Sequence, residues 1–554
     1  MSETLVENLD MEPAAIMSIL TEYTDQLNGF KGLIILTLSI LISMSYLTAA
    51  LKPGLRSIPG PIMARLTYLY RPFRIAKGDA PNFYMSLHEK YGPIVRTSPN
   101  TVDISDPAAL PIIYGISSKF VKSTFYNAFS PVFEGETMPS MFTIRDPVAH
   151  QALRRPVAQK FSMSSIKSLE PFADECTSIF LDAMKDFQGQ KVDLGVWLQW
   201  YAFDVIGAIT FQRRFGFMEK REDVMGMIGG LELGLKYAGI VGQVPALHPW
   251  LMGNSWVAKL LTAQPFVEIA DPLRTMVNVS HPPCFSLIYS GVILMEIQIT
   301  QECIDDYDKT RDKSHGHRPD FLAWLRSEES KGKQLSNRDM INHLSNNLLA
   351  GSDTTAISLR AILYFLVRNK SAYKRAQQEV DMADGHGKLS PMITYGECLE
   401  LPYLQAVMKE AMRCHPGVSF PLERVVPEEG IDLCGVHLKA GTIVGMNAAV
   451  IHRDRTVFGD DADEFRPERW INCSEEQVKL MNRHLMTFGY GSRSCIGKNI
   501  SIMEMGKLIP QLLRHFEIEW ASDESEWRVE TFWFAKQNGL ICRFRPRGVS
   551  PSSS

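Results

Sequence analysis

The stretch Phe488-Gly489-Tyr490-Gly491-Ser492-Arg493-Ser494-Cys495-Ile496-Gly497 constrains this 554-residue chain more than any other. It sets one cysteine in a glycine-punctuated loop just ahead of a helix-like run, Lys498 to Phe516. In that position backbone N–H groups and the positive end of the helix dipole stabilise a thiolate. Such a sulfur is a metal ligand or a nucleophile. Gly489, Gly491 and Gly497 lack a Cβ and tolerate positive φ, so the backbone can turn tightly and approach a flat partner closely. Arg493 can meet an acidic group on that partner, and Phe488 can pack beside the sulfur.

A second anomaly lies on a long helix expected from Ser336, with Asp339 as its capping-box acid, to about Asn369. At its centre, Ala350-Gly351-Ser352-Asp353-Thr354-Thr355 gathers residues that a helix interior disfavours, by about 0.5 to 1 kcal/mol for the worst. A local violation of this kind needs a compensating purpose. Small residues let a flat ligand approach, and a threonine hydroxyl can replace a backbone hydrogen-bond partner and open a groove. Upstream, His150 and Arg154 share one face of a helix opened by Asp146-Pro147. Downstream, Glu410 and Arg413 are neighbours on a helix read from Leu399 to Pro416. Taken singly, these pairs are equally well explained as solvated helix faces.

The spacing Phe-x-x-Gly-x-Arg-x-Cys-x-Gly, met at all five specified positions, resembles the haem-binding loop of the cytochromes P-450. Other motifs stand in that family's order between about Pro59 and Arg545. They are the acid-threonine pair, Glu-x-x-Arg between Leu-Pro-Tyr-Leu and His415-Pro416, and Phe465-Arg466-Pro467-Glu468-Arg469-Trp470. The resemblance implies a mostly α fold with a small β region. It implies haem b (iron protoporphyrin IX) with Cys495 as axial thiolate, donating electron density to favour O–O cleavage. Thr354 would steady dioxygen and its water, and Asp353 would pass protons inward. His150, Arg154, Arg424 and Arg493 would meet the haem's acidic groups, with Phe488 and Gly497 beside the sulfur. Many relatives carry tryptophan where His150 stands. Glu410, Arg413 and Arg469 would form a buried ion network that fixes the core around the loop.

The activity implied is insertion of one oxygen atom from O2 into an apolar small molecule, by hydroxylation, epoxidation or oxidative demethylation. Electrons would come from NADPH through NADPH-cytochrome P-450 reductase, with cytochrome b5 as a further partner. Two other readings remain open: haem-dependent rearrangement or dehydration without O2, and a membrane-anchored haem-binding protein without turnover. The His150 variant and the segment Phe211 to Gly253 look like fungal secondary-metabolism members, similar to the pisatin demethylase-like group.

Charge and cysteine usage exclude other classes. A formal net charge of −4 with scattered basic residues gives no reason to expect nucleic acid. Nine widely spaced cysteines without a CxxC pair argue against a disulfide framework and a zinc site, and point to a reducing compartment. Residues 1–30 hold six acids and no lysine or arginine, ahead of an uncharged apolar run from Leu33 to Leu51. Nineteen residues at about 1.5 Å each span roughly 28 Å, enough for a bilayer core. With Lys52, Arg56, Arg65, Arg71 and Arg74 beyond it, the positive-inside rule puts the basic side in the cytosol. The expected layout is an acidic lumenal tail (1–30), a single transmembrane anchor (31–52) and a proline-rich hinge (53–62). A haem domain (63–547) and a frayed tail (548–554) follow, on the endoplasmic reticulum membrane.

Two segments invite specific expectations. Ser123 to Phe142 is rich in aromatics and methionine but broken by Pro131, Gly135 and Pro139, which suits either core packing or a pocket-lining loop. Thr275 to Met295 holds no charged residue and no clear helical period, and contains His281-Pro282-Pro283. It reads as a second membrane helix broken by prolines, as a membrane-dipping lid, or as a translated unspliced intron. Val277 to Gln298 is a whole number of codons whose removal would join Met276 to Ile299 in one helical pattern.

Overall fold

The computed structural model describes residues 33, 36–130, 132–133, 136–253, 285–310, 319–330 and 335–548. The acidic tail at 1–30, residues 277–284 and the last six residues lie outside the described residues. The architecture is mainly helical. Those helices that matter for the site are α1 (Leu36–Ala50), α2 (Pro147–Val157), α3 (Leu194–Phe211), α4 (Met227–Val241), α5 (Phe285–Thr310), α6 (Asn337–Arg368), α7 (Pro402–Cys414) and α8 (Lys498–His515).

The 32-residue α6 is the spine. Its capping box forms as expected, with Ser336 and Asp339 exchanging side-chain-to-backbone hydrogen bonds. Helix α3 lies along it and is apolar on every face, the pattern of a helix buried all round. Both pack with α8 into the largest apolar cluster. Pro510 sits inside α8, which nonetheless runs on to His515.

A five-stranded sheet flanks this core, formed by β1 (Ile94–Ser98), β2 (Thr101–Ile104), β3 (Val121–Lys122), β4 (Arg424–Val425) and β5 (Ile443–Gly445). Its order is β1-β2-β5-β4-β3, with β2 and β5 parallel and the other pairs antiparallel. The β3/β4 register sets Lys122 directly opposite Arg424.

Of the span expected at 31–52, Leu33 and α1 are described, helical and with apolar side chains exposed. Residues 36–50 cover about 22 Å, short of a bilayer core of about 30 Å, so α1 by itself does not establish a crossing. Among the described residues two other helices are long and apolar enough to span, Leu194–Phe211 and Val224–Val241, but 89% and 56% of these windows are buried in the protein. The first is plainly a core helix. The proline-rich hinge is docked: Leu55 and Ile58 are buried, and the Arg96 guanidinium donates to the carbonyls of Ala49, Ala50 and Leu55. In the uncharged segment, the part from Phe285 onward is helical and continuous through Ile299 to Thr310, where no helical period was legible. A continuous apolar run carries no period, whichever structure it adopts.

Candidate active site

Cys495 is held by its own loop. Its amide donates to the Phe488 carbonyl at 2.8 Å, while Gly489 and Gly491 take φ of 71° and 60°. A Cβ on Gly491 would lie 1.9 Å from the Tyr114 carbonyl oxygen, so close approach as well as φ demands glycine there. Gly497 departs from the expectation of positive φ: it caps α8 at φ −81°. Its amide and that of Lys498 point to the cysteine sulfur. Burial pushes the thiol pKa up; those two amides and Arg154 pull it down. The side chain has exposed surface although protein surrounds it, because that surface opens onto an internal cavity of about 370 Å³.

Four cations line this cavity together: Lys122, Arg154, Arg424 and Arg493. His150 joins them, buried, its pKa lowered to about 4 by burial and then by Arg493, Arg154 and Lys122. Arg154 donates to the Ser494 carbonyl at 2.9 Å, and Arg493 donates to those of Ile144 and Arg145 at 2.8 and 3.0 Å. The two arginines thus clamp the start of α2 and the cysteine loop to each other. Burial, then Arg424, lowers the Arg493 pKa to about 10. Lys122 is pushed far below the usual lysine range by burial and by Arg424 and Arg493. No carboxylate lines the cavity among the described residues. The nearest in sequence, Glu423, is already bound to Arg71 and Ser123, each at 2.6 Å. Like charges directly opposite on paired strands destabilise a sheet, so Lys122 beside Arg424 is an arrangement in want of an anion.

One face of α6 forms the roof, with Asn347, Ala350, Gly351, Thr354 and Ser358 all on the cavity wall. Ala350 is exposed in the middle of a buried helix, again because the cavity lies beside it. Thr354 Oγ1 donates back to the Ala350 carbonyl at 2.6 Å, within a helix that runs from Asn337 to Arg368. Gly351 serves the neighbouring helix as well: a Cβ there would meet the Ile206 side chain at 2.8 Å. Asp353 differs from its neighbour. It is buried off the cavity wall, accepting a hydrogen bond from Gln199 Nε2 of α3, whose Oε1 accepts from Arg360 at 2.8 Å. Burial raises its pKa to about 6, opposed by Arg360 and the Gln199 bond. The structure therefore brings Thr354 to the cavity and leaves the Asp353 carboxyl one layer behind.

The charged network appears as expected, at a distance from the cavity. Arg413 donates twice to Glu410, both at 2.8 Å, and Arg469 Nε donates to the same carboxylate at 3.2 Å. Trp470 Nε1 and the Arg466 amide complete the shell at 2.9 and 3.0 Å.

These features can be tested against haem. Among the described residues no group of three or more His, Cys, Asp or Glu side chains could hold a metal. A metal at Cys495 therefore needs a partner that brings most of its own ligands. Four convergent cations without an acid call for carboxylates on that partner, and the bare flank at Ala350 admits a flat face. The residues present fit haem.

A family model described as Cytochrome P450 matches residues 58–542. The chain belongs to the cytochrome P450 family. It is 37% identical over 500 residues to cytochrome P450 monooxygenase cicH of Emericella nidulans, covering 89% of this chain and 94% of that protein. It is 36% identical over 485 residues to pisatin demethylase of Fusarium vanettenii, covering 87% and 89%. To cytochrome P450 monooxygenase gsfF of Penicillium aethiopicum it is 34% identical over 516 residues, covering 92% and 97%. This P450 is an oxidoreductase that incorporates oxygen from O2, and the family implies haem.

Several wall residues of this P450 were not singled out from sequence: Lys122, Asn346, Asn347, Trp533 and Phe534. The helical spacing of Asn347 from Gly351 and Thr354 was a usable signal. Lys122 had none, since its role depends on a strand partner some three hundred residues away. Of the aromatic Ser123 to Phe142 stretch, Tyr126, Phe129, Met141 and Phe142 reach the cavity, whereas Phe125 and Met138 are buried off its wall.

Proposed function

We propose that this P450 is a membrane-anchored haem-thiolate monooxygenase that inserts one oxygen atom into an apolar small molecule of fungal secondary metabolism. Its electrons would come from NADPH through a membrane-bound reductase, with cytochrome b5 as an alternative donor. The observation that carries the reading is the thiol of Cys495, the one cysteine on the cavity wall among the described residues, placed among four cations and beneath the bare flank of α6. Cys495 would ligate the iron, with the Gly497 and Lys498 amides stabilising its thiolate form. Arg154, Arg424, Arg493, His150 and Lys122 would hold the carboxylates of the cofactor, which the clustered positive charge already favours. Phe488 and Gly497 line the wall beside the sulfur. Haem, when bound, supplies the oxygen activation and transfer; the chain supplies ligation, orientation and protons.

Thr354 carries the hydroxyl next to the reaction space. Its bond to the Ala350 carbonyl is local and can be exchanged for one to a substrate or water. Asp353, with a pKa of about 6, can take up and release a proton near neutral pH from its place behind the wall, next to Thr354 in the chain. Glu410, Arg413 and Arg469 act structurally, fixing the core behind the loop. The exposed apolar surface of α1 and the basic residues after it support an anchor in the endoplasmic reticulum membrane with the catalytic domain cytosolic. The decisive measurement is the absorption spectrum of the ferrous, carbon monoxide-treated protein. A strongly red-shifted Soret band that Cys495→Ser abolishes is expected; the same spectrum in both proteins refutes the assignment. NADPH consumption with reductase, dependent on Thr354, separates oxygen insertion from O2-independent chemistry and from haem binding without turnover.

A further inference from the structure

With the cations of the cavity given over to the cofactor, the rest of its wall carries no formal charge. Phe129, Phe142 and Trp533 stand at its edge as a triangle of rings with centroids 5.2, 5.6 and 5.6 Å apart. Gly230 and Gly234, one turn apart on α4, also lie on the wall and present bare backbone to it. Aromatic edges and a side-chain-free strip together suit a thin, flat molecule better than a bulky aliphatic one.

Into this apolar wall α6 sets two adjacent amides. Asn346 donates from Nδ2 to the Asn342 carbonyl at 2.6 Å and to Asn342 Oδ1 at 2.8 Å, which leaves its own Oδ1 to accept. The Asn347 side chain has no hydrogen-bond partner among the described residues, and its amide can both donate and accept. Both line the cavity on the same side of α6 as Thr354. Seven residues separate Asn347 from Thr354, an axial distance of about 10 Å.

We propose, on the monooxygenase reading above, that the substrate is a neutral, planar, aromatic molecule bearing a hydroxyl or carbonyl about 10 Å from the carbon that is oxidised. Asn347 is the residue that binds that substituent, and the Asn346 carbonyl is a second acceptor beside it. A charged substrate is disfavoured because no counter-ion remains for it. The amides also set which end of the molecule faces Thr354, so they determine the position of oxidation.

The test uses the haem-loaded full chain in detergent and three rigid probes: 4-hydroxy-4′-methylbiphenyl, 4,4′-dimethylbiphenyl and 4′-methylbiphenyl-4-carboxylate. Dissociation constants are read by isothermal titration calorimetry. One neutral hydrogen bond predicts that the hydroxyl probe binds about three- to tenfold more tightly than the dimethyl probe, with the carboxylate weakest. In Asn347→Leu that preference should vanish while dimethyl binding stays within about twofold. Asn347→Ser, smaller and still polar, should keep part of the preference, which guards against a packing defect in the leucine variant. Retained preference in Asn347→Leu, no preference in the wild type, or carboxylate binding as tight as the hydroxyl probe overturns the proposal. The carbon monoxide spectrum of the same preparations reports separately on Cys495. A missing thiolate band with the hydroxyl preference intact would sink the haem reading and leave the Asn347 contact standing.

Discussion

Replacing Lys122 with methionine should weaken cofactor binding while leaving the stability of the haem-free protein almost unchanged. Lys122 is buried, directly opposite Arg424 on the neighbouring strand, and Arg493 is close enough to lower its pKa as well. Burial and these two arginines hold the amine far below the usual lysine range, so without a cofactor its neutral form is favoured. Its Nζ also donates to the Phe142 carbonyl and lies 4.1 and 4.3 Å from the Tyr126 and Phe142 ring centroids. Methionine keeps the length and loses both the unfavourable burial of the amine and the hydrogen bond, effects of opposite sign, so the haem-free protein should change by no more than about 1 kcal/mol in urea unfolding. With a cofactor carboxylate in place the same ammonium is attractive, and its loss should cost about 1.5 to 3 kcal/mol of cofactor binding. The second effect is read as haem transfer to excess apomyoglobin, followed at the Soret band, and about a tenfold or greater acceleration is expected. A release rate equal to wild type would refute the account of Lys122 as an anion-binding residue.

Two further outcomes follow from the buried charges. Glu410→Gln leaves Arg413 and Arg469 buried without their carboxylate and should destabilise the fold by about 3 to 5 kcal/mol, seen as a marked fall in Tm. Asp353 is held at about 6 in the folded chain against an ordinary 3.8, so its contribution to stability is complete below about pH 3.8 and is lost as pH rises through about 6. Asp353→Asn should remove that component from stability measured between pH 4 and 7, and an unchanged pH profile would show that the carboxyl is already ionised at low pH.

The elements legible in the sequence share a cause. The capping box at Ser336, the Glu410–Arg413 pair and the glycines of the cysteine loop all act over a few residues, where spacing along the chain equals proximity in space. The Thr354 hydroxyl belongs with them. It bonds the Ala350 carbonyl four residues earlier, a contact that helical spacing alone makes available.

Residue order alone determined the cysteine loop, the Asp353-Thr354 motif and the family, because each is written in contiguous residues whose backbone geometry they themselves dictate. Tertiary structure decided the rest: that four scattered cations converge without an acid, that Asp353 turns to Gln199 of another helix, and that Asn346 and Asn347 share a wall with Phe129 and Trp533. These relations join segments up to several hundred residues apart. Only packing and strand register bring such segments within a few ångströms, and no pattern confined to either one records the meeting.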